Sequence, residues 1–182
     1  GLRVTMAPST AQKVADAFGM QLPTDKMSQQ IYQAADTKIR ANPLSGAGYK
    51  DSNGKYHSGA EVVAGRINQS DAATTYNDMT EQELAKLKSE GKTPVLIAGH
   101  GKDILQPAAN GQDPRIGGWA GQDGKPLQPY STAHKGQANM HTEYGLYTRL
   151  VDQKVTVTFP DGRTLETTMD KVLANPELAK SL

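Results

Sequence analysis

Apolar residues recur at helical spacing in the first forty positions of the chain. One stripe runs from Ala11 to Phe18 at intervals of three and four residues, and Gly19 follows it as a stop signal. A longer stripe extends from about Asp25 to Arg40, with Thr24 placed to cap its first turn. The pattern predicts two helices joined by a short turn.

The middle of the chain carries two further helix-start signals. Ser58 with Glu61 and Thr80 with Glu83 have the spacing of capping boxes, in which each side chain bonds the other residue's backbone N–H. Apolar positions follow both pairs. We therefore expect two short helices here, the second ended by Gly91.

Period-two alternation and turn residues predict strands in three places. The Asn53-Gly54 dipeptide favours a hairpin turn, because both of its residues accept positive φ. The apolar run Val95–Ala98 predicts a strand. Near the end of the chain, residues 155–159 and 163–167 alternate on either side of a Pro-Asp-Gly turn, which predicts a second hairpin with a last helix after it.

Helices that precede antiparallel strands indicate an α+β fold rather than a doubly wound sheet. The polar stretch Asn68–Asp78 is the best candidate for a boundary, but neither side of it holds enough apolar residues for its own core. We therefore interpret residues 1–182 as a single domain. It is expected to place N-terminal helices before a small, mostly antiparallel sheet, with a long irregular loop that forms the site.

Composition excludes several classes of partner. The chain has 20 Lys and Arg against 19 Asp and Glu, interspersed along its length, and this balance disfavours a nucleic-acid partner. No window approaches the roughly 18 consecutive apolar residues of a membrane span, so membrane insertion is not expected. The absence of cysteine excludes disulfides and thiolate chemistry. A bias towards small polar residues favours a secreted or periplasmic protein.

Three of the four histidines fall in one stretch that has no helical periodicity. The first, His100, follows the predicted strand in a glycine-flanked turn that also holds Lys102 and Asp103. Such a turn presents side chains and N–H groups at a sheet edge, which favours a functional site. The structural alternative is that His100 caps a carbonyl while Lys102 and Asp103 form a surface ion pair.

The other two histidines, His134 and His141, lie between Ser131 and Tyr144. A Ser–His nucleophile pair would need close contact in space, and no nucleophile-elbow motif is present. Zinc held by His100, His134 and His141 with a nearby carboxylate is a second alternative, but no short ligand spacing supports it. We expect a site without cofactor or metal, in which His134 or His141 is the general base.

Two further roles, an oxyanion stabiliser and a general acid, complete this metal-free interpretation. Arg149 would stabilise an oxyanion, with Tyr144 or Tyr147 as the acid.

Trp119, the only tryptophan, stands among glycines. It is either a platform for a sugar or the anchor that holds its loop to the core.

Four motifs in a fixed order resemble a group of exported bacterial proteins that has no established activity. They are LPT-x-x-M from Leu22, GH-x-KD from Gly99, GKP-x-QP-x-S-x-x-H from Gly124, and a Tyr-containing segment that ends in Arg-Leu-Val at Val151. The resemblance implies a shared set of site residues: His100, Asp103, His134, Tyr144 and Arg149. In that group a histidine precedes Arg-Leu-Val, whereas this chain has Gly145-Leu146-Tyr147 there.

These observations predict a hydrolase or lyase that acts on a cell-envelope or extracellular polymer, either glycan or peptide. The expected catalytic residues are His100, Asp103, His134, His141, Tyr144 and Arg149, with Lys102, Trp119 and Ser131 in substrate binding. The alternative is a non-catalytic module of an exported protein that binds a glycan or a partner protein. A pocket that holds at least two of the three histidines with a carboxylate would favour catalysis, whereas a flat, aromatic-lined groove with scattered histidines would favour binding.

Overall fold

The computed structural model describes most of the chain. The described residues are 5–39, 41, 49–50, 55–57, 69–106, 115–121, 123–126, 131–132 and 145–179. His134, His141 and Tyr144 lie outside them. So do the Asn53-Gly54 turn and the helix predicted after Ser58, and these stay predictions.

The described residues form helices and short strands in the proportions of an α+β fold, which confirms the predicted class. The helices are α1 (Pro8–Ala17), α2 (Asp25–Ala34), α3 (Gln69–Ser89), α4 (Met169–Ala174) and α5 (Pro176–Ala179). The strands are β1 (Met20–Gln21), β2 (Thr37–Lys38), β3 (Tyr49–Lys50), β4 (Tyr56–His57), β5 (Ile97–Ala98), β6 (Lys102–Leu105), β7 (Arg115–Gly117), β8 (Ser131–Thr132), β9 (Leu146–Tyr147), β10 (Val151–Asp152), β11 (Lys154–Thr158) and β12 (Thr164–Thr168). No described helix combines the length and the apolar character needed to cross a bilayer.

Helix α2 begins as predicted and ends early. The Thr24 hydroxyl accepts a hydrogen bond from the Met27 N–H at 3.2 Å, which confirms the cap. The predicted continuation to Arg40 is wrong, because the chain leaves the helix after Ala34 and enters β2, which pairs in parallel with β5. The Asp36 carboxylate accepts hydrogen bonds from two N–H groups just before β5. Tertiary pairing therefore overrides the local helical pattern.

Helix α3 is one continuous element where the sequence predicted a boundary and a later helix start. The Thr80 hydroxyl donates to the Tyr76 carbonyl one turn earlier, so it does not cap a new helix. Residues 69–78, the proposed boundary, lie inside α3, where Ala72 and Tyr76 are buried. Gly91 follows the helix with φ +77°, as predicted for a stop.

A four-stranded sheet in the order β8-β7-β6-β9 supports the site. Strand β6 is antiparallel to β7 and parallel to β9, and all four of its residues are buried. The prediction of an irregular loop is therefore wrong for residues 102–105, which form the centre of this sheet. The strand predicted at Val95–Ala98 is also shorter, because only Ile97–Ala98 pairs and Val95 is 94% exposed.

In both predicted hairpins the two strands pair antiparallel, which confirms the second hairpin, whereas the Asn53-Gly54 turn of the first lies outside the described residues and stays a prediction. Strand β3 is antiparallel to β4, with Tyr49 opposite His57. Strand β11 is antiparallel to β12 across a turn in which Gly162 has φ +85°. The second hairpin buries Val157 against Met169 and Val172 of α4, which is the helix expected after it.

Candidate functional site

A cavity of about 510 Å³ opens beside the start of β6 and contains three of the predicted site residues. We call it the main cavity. Its polar lining residues are His100, Asp103, Tyr147, Thr148 and Arg149. Its apolar lining residues are Met6, Val14, Val95, Leu96, Ile97 and Leu150. The volume lies within the range of small-molecule sites, which are mainly apolar with a few placed polar groups.

Asp103 is the buried carboxylate of the main cavity. It is 5% exposed, and each of its oxygens accepts a hydrogen bond. The Ser28 hydroxyl donates to Oδ2 at 2.9 Å, and Arg149 Nε donates to Oδ1 at 3.0 Å. Burial nevertheless raises the pKa of Asp103, because its desolvation outweighs the opposing effects of Arg149 and Ser28.

Arg149 is held at two points of its guanidinium group. Besides the Nε bond to Asp103, Nη2 donates to the Ile97 carbonyl at 3.3 Å. The side chain keeps 24% of its surface exposed and lines the main cavity. Two fixed contacts leave a positive charge with a defined orientation beside the cavity.

His100 lies in the same cavity and is 8% exposed. Its ring packs against the Tyr147 ring, with centroids 5.5 Å apart. The Tyr76 hydroxyl donates a hydrogen bond to the His100 carbonyl. A Cβ at the neighbouring Gly101 would overlap the Tyr147 ring, so glycine is required for this packing. His100 is therefore fixed through both its backbone and its ring.

Lys102 and Trp119 lie on the inside of the protein and contact each other. The Lys102 ammonium is 4.3 Å from the centroid of the Trp119 ring, and both residues are 6% exposed. Trp119 Nε1 donates to the Tyr76 hydroxyl at 3.0 Å. The prediction of a surface ion pair between Lys102 and Asp103 is therefore wrong. Both side chains are buried, and β6 places them at adjacent strand positions. For Trp119, these contacts match the anchoring alternative.

The structure unites some of the predicted site residues and shows two contributors that the sequence did not suggest. His100, Asp103 and Arg149 come together, and Tyr147, weighed as an acid, joins them. Ser131 lies in β8, where it pairs with Ile116. Ser28 and Tyr76 were missed. Ser28 interrupts an otherwise ordinary amphipathic helix, and Tyr76 falls in the stretch interpreted as a boundary.

Three predictions made from the sequence concern residues that the structure does not describe. The first expects the rings of His100 and His134 to lie within about 8 Å of each other, because both residues are on loops that should emerge near the end of one strand. The zinc alternative needs His134 and His141, and the metal-free alternative uses one of them as base. Because neither residue is described, all three stay predictions.

Comparison of the chain with protein-family models, with curated proteins and with solved structures finds no match. A fold alone would not define a reaction. Function therefore has to be inferred from the chemistry of the main cavity and its surroundings.

Proposed function

We propose that the protein is a hydrolase or lyase that cleaves a cell-envelope or extracellular polymer, with the main cavity as its active site. One observation carries this proposal: a twice-fixed guanidinium, that of Arg149, lines the same cavity as the His100 imidazole. A proton-transfer group and an oriented positive charge are the minimum set for cleavage next to a carbonyl or carboxylate. The proposed location is outside the cytoplasm.

Arg149 supplies the electrostatic part of the reaction. In hydrolysis, its charge stabilises the oxyanion that forms when water attacks a carbonyl carbon. In elimination, it stabilises the enolate that forms when a proton is removed beside a carboxylate. Because Asp103 and the Ile97 carbonyl already hold the guanidinium, little reorganisation is needed during the reaction.

His100 supplies proton transfer. Imidazole changes charge near neutral pH, so it can take a proton from water or from carbon and return it to the leaving group. The ring contact with Tyr147 and the Tyr76 bond to its carbonyl set its position. His134 or His141, the bases proposed from sequence, would act as alternatives or partners to His100.

Asp103 acts through Arg149 in this scheme. Both of its oxygens already accept hydrogen bonds from protein groups, so its part is to orient the guanidinium. Thr148 offers a contact of another kind. Its Oγ1 is buried and has no hydrogen-bond partner among the described residues, and a polar atom of the substrate would satisfy it.

The test is product release from a panel of polymers: peptidoglycan sacculi, neutral polysaccharides, polyuronates and acylated polysaccharides. Soluble products are identified by mass spectrometry, which separates hydrolysis, with the mass of one water added, from elimination, with an unsaturated end. Arg149→Lys keeps the charge but loses the planar two-point geometry, so we expect about a 100-fold loss of kcat/KM.

The matched control is Arg163→Lys, which alters a guanidinium that bonds an exposed carboxylate, that of Asp161. This variant should retain wild-type activity. Binding of a polymer without any product would contradict the enzyme proposal and favour the binding-module alternative. Equal activity of Arg149→Lys and Arg163→Lys would contradict the assigned role of Arg149.

A further inference from the structure

A second cavity, of about 370 Å³, lies between α2 and the segment 118–126. We call it the second cavity, and it shares no lining residue with the main cavity. It is lined by Gln29, Tyr32, Gln33, Gly118, Trp119, Ala120, Gly124 and Pro126. The proposed reaction uses none of these residues.

The lining of the second cavity is uncharged and combines aromatic rings with amides. Gln29 and Gln33 are exposed and stand one helical turn apart on α2, with Tyr32 next to Gln33. A glutamine amide both donates and accepts, which matches a hydroxyl group that does the same. Tyr32, which is half-buried, adds ring surface that suits the C–H face of a sugar ring, whereas Trp119 is 6% exposed and contributes only the small part of its surface that lines the cavity.

The opposite wall is held by its own backbone. Gly121 N–H donates to the Lys125 carbonyl at 2.9 Å, and Gly124 N–H donates to the Gly121 carbonyl at 3.1 Å. Gly124 has φ +74°, and a Cβ there would stand 3.5 Å from the Tyr32 hydroxyl. The absence of a side chain therefore keeps space open beside Tyr32 in a preformed wall, which reduces the ordering cost of binding.

In the described part of the chain, two cations lie near this cavity, and neither is a lining residue: the buried Lys102 ammonium packs over the Trp119 ring, and the Lys38 ammonium lies over the Tyr32 ring. The Lys38 ammonium is 5.5 Å from the centroid of the Tyr32 ring. It donates to the backbone carbonyls of Gln33 and Ala35, and it is not a lining residue. Among the described residues, the lining thus provides no charged group to an anionic ligand, whereas amides and rings remain for a neutral one.

The two cavities lie close to each other. Asp103 lines the main cavity, and its Oδ2 is 3.0 Å from the position that a Cβ on Gly118 would take in the wall of the second cavity. Asp103 and Gly118, which line different cavities, are therefore neighbours in the structure.

We propose that the second cavity binds an uncharged carbohydrate unit and forms a site separate from the catalytic residues. This site goes beyond the proposed cleavage, because sugar binding here needs neither His100 nor Arg149. If the protein is the proposed enzyme, the site would hold a neutral sugar of the polymer beside the bond that is cleaved.

Tryptophan fluorescence can report ligand binding at this site, because the only tryptophan of the chain, Trp119, lines the second cavity. The experiment is a fluorescence titration of the full chain with neutral oligosaccharides built from glucose, galactose, mannose or N-acetylglucosamine, and with oligogalacturonate as the anionic comparison. We expect a saturable change with at least one neutral sugar, with Kd of about 1 mM or below. Oligogalacturonate should give no saturable change that depends on Gln33, because an anion bound beside Arg149 in the main cavity does not contact the lining of the second cavity.

Substitutions on α2 test whether sugar binding depends on the residues that line the second cavity. Gln33→Ala removes an exposed amide and should weaken binding about 10-fold, equivalent to about 1.4 kcal/mol. Gln30→Ala, the matched control, changes the same residue type on the same helix but lines a different, 130 Å³ cavity near β11. It should bind as wild type. Arg149→Lys should also bind as wild type, so loss of cleavage and loss of sugar binding are distinguished.

Three results would overturn the proposal. The first is no saturable response to any neutral oligosaccharide, whether or not the protein cleaves a polymer. The second is oligogalacturonate binding as tightly as the neutral sugars and being weakened by Gln33→Ala to the same extent, which would place the anion in the second cavity. The third is an equal effect of Gln30→Ala and Gln33→Ala on the Kd, with both variants folded by circular dichroism.

Discussion

At the scale of single residues, Asp103 connects the interior of the protein to the main cavity. Its carboxylate accepts from Ser28 on α2 and from Arg149 after β9, so it ties two distant segments to β6. A buried carboxylate is costly unless such donors satisfy it. The position of Arg149 therefore depends on groups that a substrate need not touch.

The buried Ser28 donor should matter for stability. Ser28→Ala removes a hydrogen bond to a buried carboxylate, so we expect a loss of about 2 kcal/mol in the free energy of unfolding, measured by urea denaturation. Ser89→Ala is the control, because the Ser89 hydroxyl bonds the Lys86 carbonyl at an exposed site. A similar small effect of both substitutions would show that Ser28 does not stabilise the carboxylate.

The raised pKa of Asp103 gives a pH dependence of defined sign. The folded protein binds this proton more tightly than the unfolded chain, whose pKa is near the ordinary 3.8. The stability from Asp103 is thus fully present below that value and is lost as pH rises through the higher folded pKa. The free energy of unfolding of wild type minus that of Asp103→Asn should therefore fall with rising pH, as followed by urea titrations.

An exposed aspartate provides the opposite case. Arg163 lowers the pKa of Asp161. The free energy of unfolding of wild type minus that of Asp161→Asn should therefore rise as pH increases through the ordinary pKa range of an aspartate. A difference for Asp103→Asn that also rises with pH would mean that Arg149 and Ser28 outweigh burial at Asp103.

At the scale of elements, local signals predicted some parts and failed for others. The β11–β12 hairpin was predictable because its turn and its alternation lie within one short segment. Strand β6 was not, because Lys102 and Asp103 have no apolar pattern and become strand residues only through β7 and β9. The end of α2 was likewise set by pairing with a strand far along the chain.

The junction between β6 and β9 gives a steric prediction. Gly101→Ala places a methyl group in the Tyr147 ring, so we expect a loss of about 1–3 kcal/mol from overpacking, measured by thermal or urea unfolding. Gly145→Ala is the control, since a Cβ at Gly145 meets no atom of the described residues within 4 Å. If Gly101→Ala were as stable as Gly145→Ala, the Tyr147 ring would not pack on this backbone.

At the scale of the whole molecule, the site is assembled from segments far apart in sequence. Ser28 and Asp103 are 75 positions apart, and Asp103 and Arg149 are 46 apart. Sequence reasoning selected His100, Asp103 and Arg149 from residue chemistry and motif resemblance. It could not select Ser28 or Tyr76, because their roles arise from which helices pack beside β6, and no local pattern encodes that contact.

The residues proposed for catalysis and those proposed for sugar binding line different cavities. The charged and titratable groups line the main cavity, whereas amides and rings line the second cavity. Cleavage and sugar binding are therefore expected to respond to different substitutions. This division makes a direct test of the catalytic cavity possible.

The most direct test compares two histidine substitutions in one assay of kcat/KM on the polymer that the wild-type protein cleaves. His100→Gln removes the proposed proton-transfer group and should lower kcat/KM at least about 100-fold, the lower end of general acid–base effects. His57→Gln, on β4, should leave it unchanged, and melting temperatures show whether each variant is folded. A folded His100→Gln variant with wild-type kcat/KM would contradict the assignment of the main cavity as the active site.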